Sequence, residues 1–467
     1  VYVCSIHTRY LIMKHMSIFM NKDRVVDNEW THLGNKIMMK TNIKPCLYKE
    51  GEITLLFDGI LLNYITLYQS FYETEYDKGD ETNKLSLLID IYIKCGIHYL
   101  LKVLDGSFTF VLLDQRVEYD ESRLYVISDS MGLRPIYSVD IQSIQSLNTN
   151  DNLFKTIYGI NTENEYIDSN VSNLLNPGKM YVFKRKNLAG KYWELKKNTT
   201  YFSLANSGGF PYIHLRQDIA HTLIHNYLYS AIEKRCLVSS HKHDVYSKDS
   251  FKQERMNIIF CIVSNDDIES KLIAQMANGI NANDEVVKIS IDQLSDFSGS
   301  GKGVRDPLRG SQPLSTEGAL SADLFPRIGF ADSKETNVED IPFSETYHDE
   351  NMIANFVYEK ITEYLSKYTH TPVNYHIFAS SGMMNIEKML QKQYNRSSIK
   401  YDSDFRHALW TIGINDLIPN IIEPFKRKNL EVEFPFLDTE WLNFYMTISP
   451  QYRCSNSLIK NSLEEDI

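Results

Sequence analysis

The chain has 467 residues, 43% of them hydrophobic and 23% charged, with a formal net charge of −11. That length suffices for two or three domains with sizeable cores, and the composition is ordinary for a soluble globular protein. The acidic balance gives no support for a nucleic-acid partner, and no apolar run reaches the length of a membrane span.

Residues 1–22 hold Arg9, Lys14 and Lys22 and no acid. The stretch is apolar and serine-poor, so it reads as a first strand rather than a transit segment. Glu52 to Phe57 reads as a strand, with Asp58-Gly59 as a turn signal after it. Lys84 to Cys95 has the period of an amphipathic helix. Ser107 to Leu113, Leu124 to Ser128 and Met180 to Lys184 are short strands at turn-punctuated spacing. The polar stretch Lys196 to Pro211 reads as a linker. A long helix is predicted from Leu215 to Cys236, with Ile219, Leu223, Tyr227, Tyr229 and Ile232 on its inner face.

Ile258 to Val263 is an unbroken apolar run, the pattern of a buried parallel strand. A polar turn, Ser264-Asn265-Asp266-Asp267, follows it. Then Ile268, Leu272, Ile273 and Met276 recur at helical spacing. Strand, tight turn, helix is the layout that aims helix N–H groups at a phosphate. A phosphate cradle wants glycines, however, and two aspartates stand here. A strand from Val286 to Ile291, a helix from Met352 to Lys367 and a strand from Tyr375 to Phe378 continue the alternation, which predicts an α/β domain with a parallel sheet. Residues 238–256, rich in His, Lys and Ser, and 296–345, rich in Gly, Ser, Pro, Asp and Glu, read as excursions from it. Cys4, Cys46, Cys95, Cys236, Cys261 and Cys454 form no C-x-x-C pair and no metal spacing, so a reduced, intracellular chain without a metal site is expected.

Several landmarks occur in order in the first half. They are Cys4-Ser5-Ile6, Phe57-Asp58-Gly59 through to Asn63-Tyr64, Leu104-Asp105-Gly106-Ser107-Phe108, Ser128 to Tyr137, and Leu175-Asn176-Pro177-Gly178. Together they resemble the class II glutamine amidotransferase domain, an N-terminal-nucleophile αββα sandwich. The resemblance implies a cysteine that attacks the glutamine amide, its own α-amine as base, and an oxyanion hole from an Asn and a Gly N–H. Cys4 matches the nucleophile by position, but Val1-Tyr2-Val3 precede it in this sequence, so no free amine is expected on it. Asp58 stands at the oxyanion Asn, and a carboxylate repels a developing O⁻. Gly59 is retained. Lys84 lies where an acid would hold the substrate ammonium, and Lys36 where an Arg would fork onto its carboxylate.

The second half resembles the synthetase domain of glutamine-dependent asparagine synthetase, an α/β fold of the PP-loop ATP pyrophosphatase type. Leu430-Glu431-Val432-Glu433-Phe434-Pro435-Phe436-Leu437-Asp438 carries the resemblance most clearly, with Glu433 at the family's Arg. The pyrophosphate loop, S-G-G-x-D-S-S in the family, becomes Asn265-Asp266-Asp267-Ile268-Glu269-Ser270-Lys271. Both glycines are aspartates, which block close backbone approach and carry the wrong charge. The S-G-E-G-A-D-E signature becomes Ala379 to Asn385, placing Ser381 at the first acid and Met384 at the second, a substitution that reads as packing. Asn456 falls near a family Lys, with Lys460 close by.

The resemblance implies an amidotransferase-like domain at 1–195, a linker at 196–212 and a synthetase-like domain at 213–467. With the chemical positions exchanged, the expectation is an asparagine-synthetase-like pseudoenzyme serving as a structural or interaction subunit of a larger assembly, with no cofactor. One alternative is an active glutamine-hydrolysing synthetase using ATP and Mg. The other is a regulator that binds a nucleotide or an amino acid. The expected partners are other proteins of the assembly, in the cytoplasm or, alternatively, in a mitochondrial complex.

Overall fold

The computed structural model describes residues 16–20, 31–34, 37–41, 47–74, 82–116, 122–143, 155–161, 173–185, 193–203, 216–243, 257–264, 267–280, 285–290, 350–365, 373–384, 387, 399–412, 421–428, 430–449 and 453. In chain order the first half contains β1 (Met16–Met20), β2 (Thr31–Gly34), β3 (Ile37–Thr41), β4 (Leu47–Glu50) and β5 (Ile53–Leu61). Helices α1 (Tyr64–Tyr72), α2 (Thr82–Cys95) and α3 (Ile97–Val103) come next. Then follow β6 (Gly106–Asp114), β7 (Arg123–Ser128), β8 (Tyr137–Ser143), β9 (Lys155–Asn161), β10 (Asn173–Leu174), β11 (Lys179–Arg185) and β12 (Trp193–Thr200).

These strands make two antiparallel sheets, in the orders β10-β8-β9-β1-β3-β2 and β12-β11-β7-β6-β5-β4. The inner strands β5, β6 and β7 of the second sheet are apolar almost throughout because both its faces are covered there, whereas the edge strands β4 and β12 are polar and largely exposed. Along β6, Phe108, Phe110 and Leu112 pack with Leu87, Leu88 and Ile91 of α2. The alternate residues Val111 and Leu113 pack the other way, with Ile37 of the first sheet. Period-two alternation thus sorts one strand's side chains into two cores. The result is a helix layer on two stacked sheets, compatible with an N-terminal-nucleophile amidotransferase domain.

Asp58-Gly59, expected as a turn, lies inside β5, which runs straight on to Leu61. Gly59 has φ +142°, and a Cβ there would come within 2.3 Å of the Ser107 carbonyl oxygen. Opposite, Gly106 has φ +149°, and its Cβ would meet the Ile60 carbonyl oxygen at 2.1 Å. The paired strands therefore approach closely at two glycines rather than turning. β12 also continues to Thr200, so the start of the expected linker belongs to the sheet.

The second half contains α4 (Gln217–His243), β13 (Asn257–Ser264), α5 (Ile268–Ile280), β14 (Glu285–Ser290), α6 (Glu350–Leu365) and β15 (Val373–Ala379). It ends with α7 (Ile399–Ile412), α8 (Glu423–Arg427), β16 (Val432–Glu433) and α9 (Thr439–Thr447). Its sheet is parallel, in the order β14-β13-β15-β16. The chain leaves β13 to one side for β14 and later returns to its other side for β15. The order therefore reverses between β13 and β15, the position at which open α/β sheets form a crevice beyond their carboxyl ends.

The buried face of α4 is Ala220, Ile224, Leu228, Ala231, Ile232 and Cys236. Of the inner-face residues expected from the sequence, Ile219 and Tyr227 are instead exposed, at 43% and 37%. Ile232 is buried as expected, and Leu223 and Tyr229 are partly buried against the same core. Among the described residues no helix is long and apolar enough to cross a membrane.

Gly59→Ala should destabilise the first domain by roughly 3 kcal/mol or more, because backbone strain and a backbone collision add. A lowered urea midpoint measures this. An unchanged midpoint would contradict a structural role for Gly59.

Candidate functional site

In the first domain β5 brings Asp58 to 7% exposure, opposite Thr109 of β6. Nearby is Arg134, whose side chain is 14% exposed. Burial works against its charge, but Glu431, Asp58, Glu433 and Asp129 outweigh that and hold it protonated. The loop after β7 positions Arg134. Asp129 accepts the backbone N–H groups of Met131 at 2.9 Å, Leu133 at 3.1 Å and Arg134 at 2.9 Å. Burial nevertheless pushes the Asp129 carboxyl up to about 6. Asn63 donates to the Val103 carbonyl at 2.8 Å and accepts the Asp105 N–H at 3.1 Å, fastening the end of β5 to the end of α3. Several landmarks of the sequence are thus positions that fold the domain.

An ionic network joins the two halves. Lys234 Nζ lies 2.6 Å from Asp105 of the first half and 2.7 Å from Asp438 of the second. Arg235 reaches Asp438 at 2.9 Å and Glu433 at 3.3 Å. Asp438 also caps α9, accepting the Glu440 and Trp441 N–H groups at 3.1 and 3.3 Å. Burial raises the Asp438 carboxyl, but Arg235 and Lys234 overcome it and hold the group below its ordinary range. Arg134 meets Glu431 at 3.4 Å, and the Tyr137 hydroxyl donates to Glu423 at 2.8 Å. Between the halves lies a crevice of about 30 Å³, lined by Ser107, Arg134, Arg235, Glu431 and Glu433 among others.

At the carboxyl ends of β13 and β15 a second arrangement stands out. Asp267 Oδ1 accepts the Ser270 N–H at 2.8 Å, capping α5. Glu269 is 1% exposed. Its Oε2 accepts the Ser381 N–H at 2.7 Å, the Ser381 hydroxyl at 2.9 Å and the Ser380 hydroxyl at 3.2 Å. Its Oε1 accepts the Met384 N–H at 2.8 Å. Burial and the Asp267 charge push the Glu269 carboxyl up to about 7, against the pull of these donors. Met384 is buried beside Met383 in the core of the second half, in packing contact as the sequence suggests. The Ser270, Ser381 and Met384 N–H groups are therefore taken by side-chain carboxylates.

Of the candidate residues, Asp58 and Gly59 lie together in the first half, and Asp267, Glu269, Ser270, Ser381 and Met384 lie together in the second. Lys84 is in the first turn of α2, and its side chain lies outside the described residues. Cys4, Lys36, Asn265, Asp266, Asn456 and Lys460 also lie outside them. Sequence reasoning missed Lys234 and Arg235. The available signal was two adjacent cations in the midst of an apolar-faced helix. Among the described residues, no three His, Cys, Asp or Glu side chains are placed to hold a metal ion.

Residues 32–147 match the family model of a glutamine amidotransferase domain. The match runs from within β2 to beyond β8 and includes Asp58, Gly59 and the Asp129 loop. The chain thus carries a glutamine amidotransferase domain. No curated protein matches the chain.

Two outcomes follow from these contacts. Asp438→Ala leaves Lys234 and Arg235 short of a buried partner and removes the α9 cap, so unfolding free energy should fall by about 3–5 kcal/mol; urea denaturation checks it. For Glu269 the folded value of about 7 exceeds the ordinary 4.5. Its stabilising contribution is complete below the lower value and is lost as pH rises through the upper one. Between about pH 5 and about pH 8 the unaltered protein should lose on the order of 3 kcal/mol relative to Glu269→Gln. Parallel pH–stability curves for the two would contradict this.

Proposed function

We propose that the chain is an asparagine-synthetase-like pseudoenzyme, an amidotransferase domain joined to a PP-loop-type domain, acting as a structural or interaction subunit of a larger protein assembly. The observation that carries this reading is Asp58. Glutamine hydrolysis passes through a tetrahedral oxyanion that needs hydrogen-bond donors aimed at it. A carboxylate offers acceptor oxygens where an amide would offer donors, and Asp58 lies buried within the electrostatic reach of Arg134.

Gly59 does not argue for a surviving oxyanion hole, because the close approach of β5 and β6 requires a glycine there in any case. In the second domain, parallel strands, order reversal and the Pro435-to-Asp438 turn support the PP-loop assignment. Against a nucleotide's phosphates stands Asp267, a carboxylate at the position of a loop glycine, which accepts the Ser270 N–H. What remains well built is the packing of each domain and the ionic network between them, which suits a scaffold.

The test is to incubate the purified protein with ATP, magnesium, aspartate and glutamine while following glutamate and pyrophosphate. Neither product should rise above the protein-free control. Glutamate release would refute the reading of the first domain, and pyrophosphate release that of the second.

A further inference from the structure

Strand β12 closes one edge of the second sheet, with β11 as its only neighbour among the described residues. Leu195, Lys196, Lys197 and Asn198 are all exposed, so the middle of the strand is open on both faces. An uncovered edge presents a row of backbone N–H and C=O groups to which another strand can add. This edge is also basic. Residues 179–200, which span β11 and β12, hold seven Lys or Arg and one acid, Glu194, in a chain whose formal net charge is −11.

The register brings two of these charges together. Glu194 lies opposite Lys184 and Lys197 opposite Val182, with a bulge between the two pairs. Lys184 and Val182 are two positions apart on β11 and so share a face. The bulge therefore puts Lys197 on the same face as Glu194, although the two are three positions apart. Lys196 Nζ lies 3.3 Å from Glu194 Oε2 and joins that face. Two adjacent lysines thus stand against one carboxylate at the open edge. Lysines placed this way repel a second copy of the same edge. The same charges favour a strand of opposite sign.

We propose that β12 is a docking edge for an extended, acidic segment of a partner protein, which adds as a further strand with its carboxylates over Lys196 and Lys197. A nucleic acid or an anionic membrane would satisfy the lysines but leave the N–H and C=O groups of the edge to water. Another polypeptide backbone satisfies both. This inference rests on the proposed reading of the chain as an interaction subunit and gives the chemistry of one partner segment.

The probe is a labelled synthetic peptide of alternating glutamate and valine, matched to β12 in length. It is titrated into the full chain by fluorescence anisotropy at low ionic strength. Saturable binding is expected, with slowed hydrogen exchange at the β12 amides in the complex. N-methylation of alternate peptide bonds keeps the charge and removes the donors of one strand edge, and should weaken binding at least about tenfold. The double variant Lys196→Glu, Lys197→Glu, at two exposed positions, should weaken binding of the unmethylated peptide to a similar degree. Equal affinity for the N-methylated peptide, or unchanged exchange at β12, would overturn the proposal, because charge alone would then account for binding. Absence of binding would overturn it too, as would tighter binding of a single-stranded oligonucleotide or of phosphatidylserine vesicles. The N-methylated comparison needs no substitution and decides the matter should the double variant not fold. Glutamate or pyrophosphate release would end the pseudoenzyme reading. Failure of the peptide comparison without such release would end only the assignment of β12.

Discussion

The ion pairs around Asp438 tie together more of this molecule than any other contact. One buried carboxylate caps α9, receives Arg235 and shares Lys234 with Asp105 of the other half. Taking such charges out of water is expensive and is repaid only where each has good partners. Here two cations on adjacent residues of α4 face acids from both halves, so the partners exist only when both halves are folded against that helix. Removing one member strands the rest. The apolar residues around Asp438 serve the same end. Phe434, Phe436, Trp441 and Tyr445 are buried, and Phe436 meets Trp441 edge-on, holding the turn that aims the carboxylate.

The network also accounts for exchanges that look disruptive in sequence. Glu433, at a position where the resembled family has Arg, meets Arg235 and lies 3.8 Å from His376 Nδ1. Asp58, where an amide would be expected, lies in the field of Arg134, which a loop organised by Asp129 holds in place. In each case an altered charge has a partner of opposite sign on another element. Such pairing is what a buried carboxylate requires to persist at all.

Much of the fold was legible in sequence because period and punctuation report backbone geometry directly. The helix at Lys84 to Cys95 and the strand at Ile258 to Val263 lie within α2 and β13. The readings that differed did so where tertiary contacts override local signals. Asp58-Gly59 has the composition of a turn, yet Gly59 serves a close approach to a strand roughly fifty residues away in sequence. Helix α4 centres its buried face on Ile224, Leu228 and Ile232, which turns Ile219 and Tyr227 outward while Leu223 and Tyr229 stay at the edge of the core. At the candidate sites, residue type was readable but partnership was not. Asp267 looked merely wrong for phosphate, whereas it accepts the Ser270 N–H, and Glu269 accepts the N–H groups of the turn after β15.

Retention and exchange in this chain therefore need separate physical explanations. Gly59, Asn63, Gly106 and Asp438 match family landmarks and each has a structural duty: two close strand approaches, one tie between strand and helix, one cap within an ion network. None of those duties depends on glutamine or ATP. Asp58 and Asp267 depart from the landmarks, and both are carboxylates where the resembled families have an uncharged residue, whereas Glu269 keeps the acid of the loop. Asp267 and Glu269 take up backbone N–H groups of the α5 start and of the turn after β15. An unfilled buried N–H costs as much as a lost hydrogen bond, so these acids have a duty in the fold whatever the site once held.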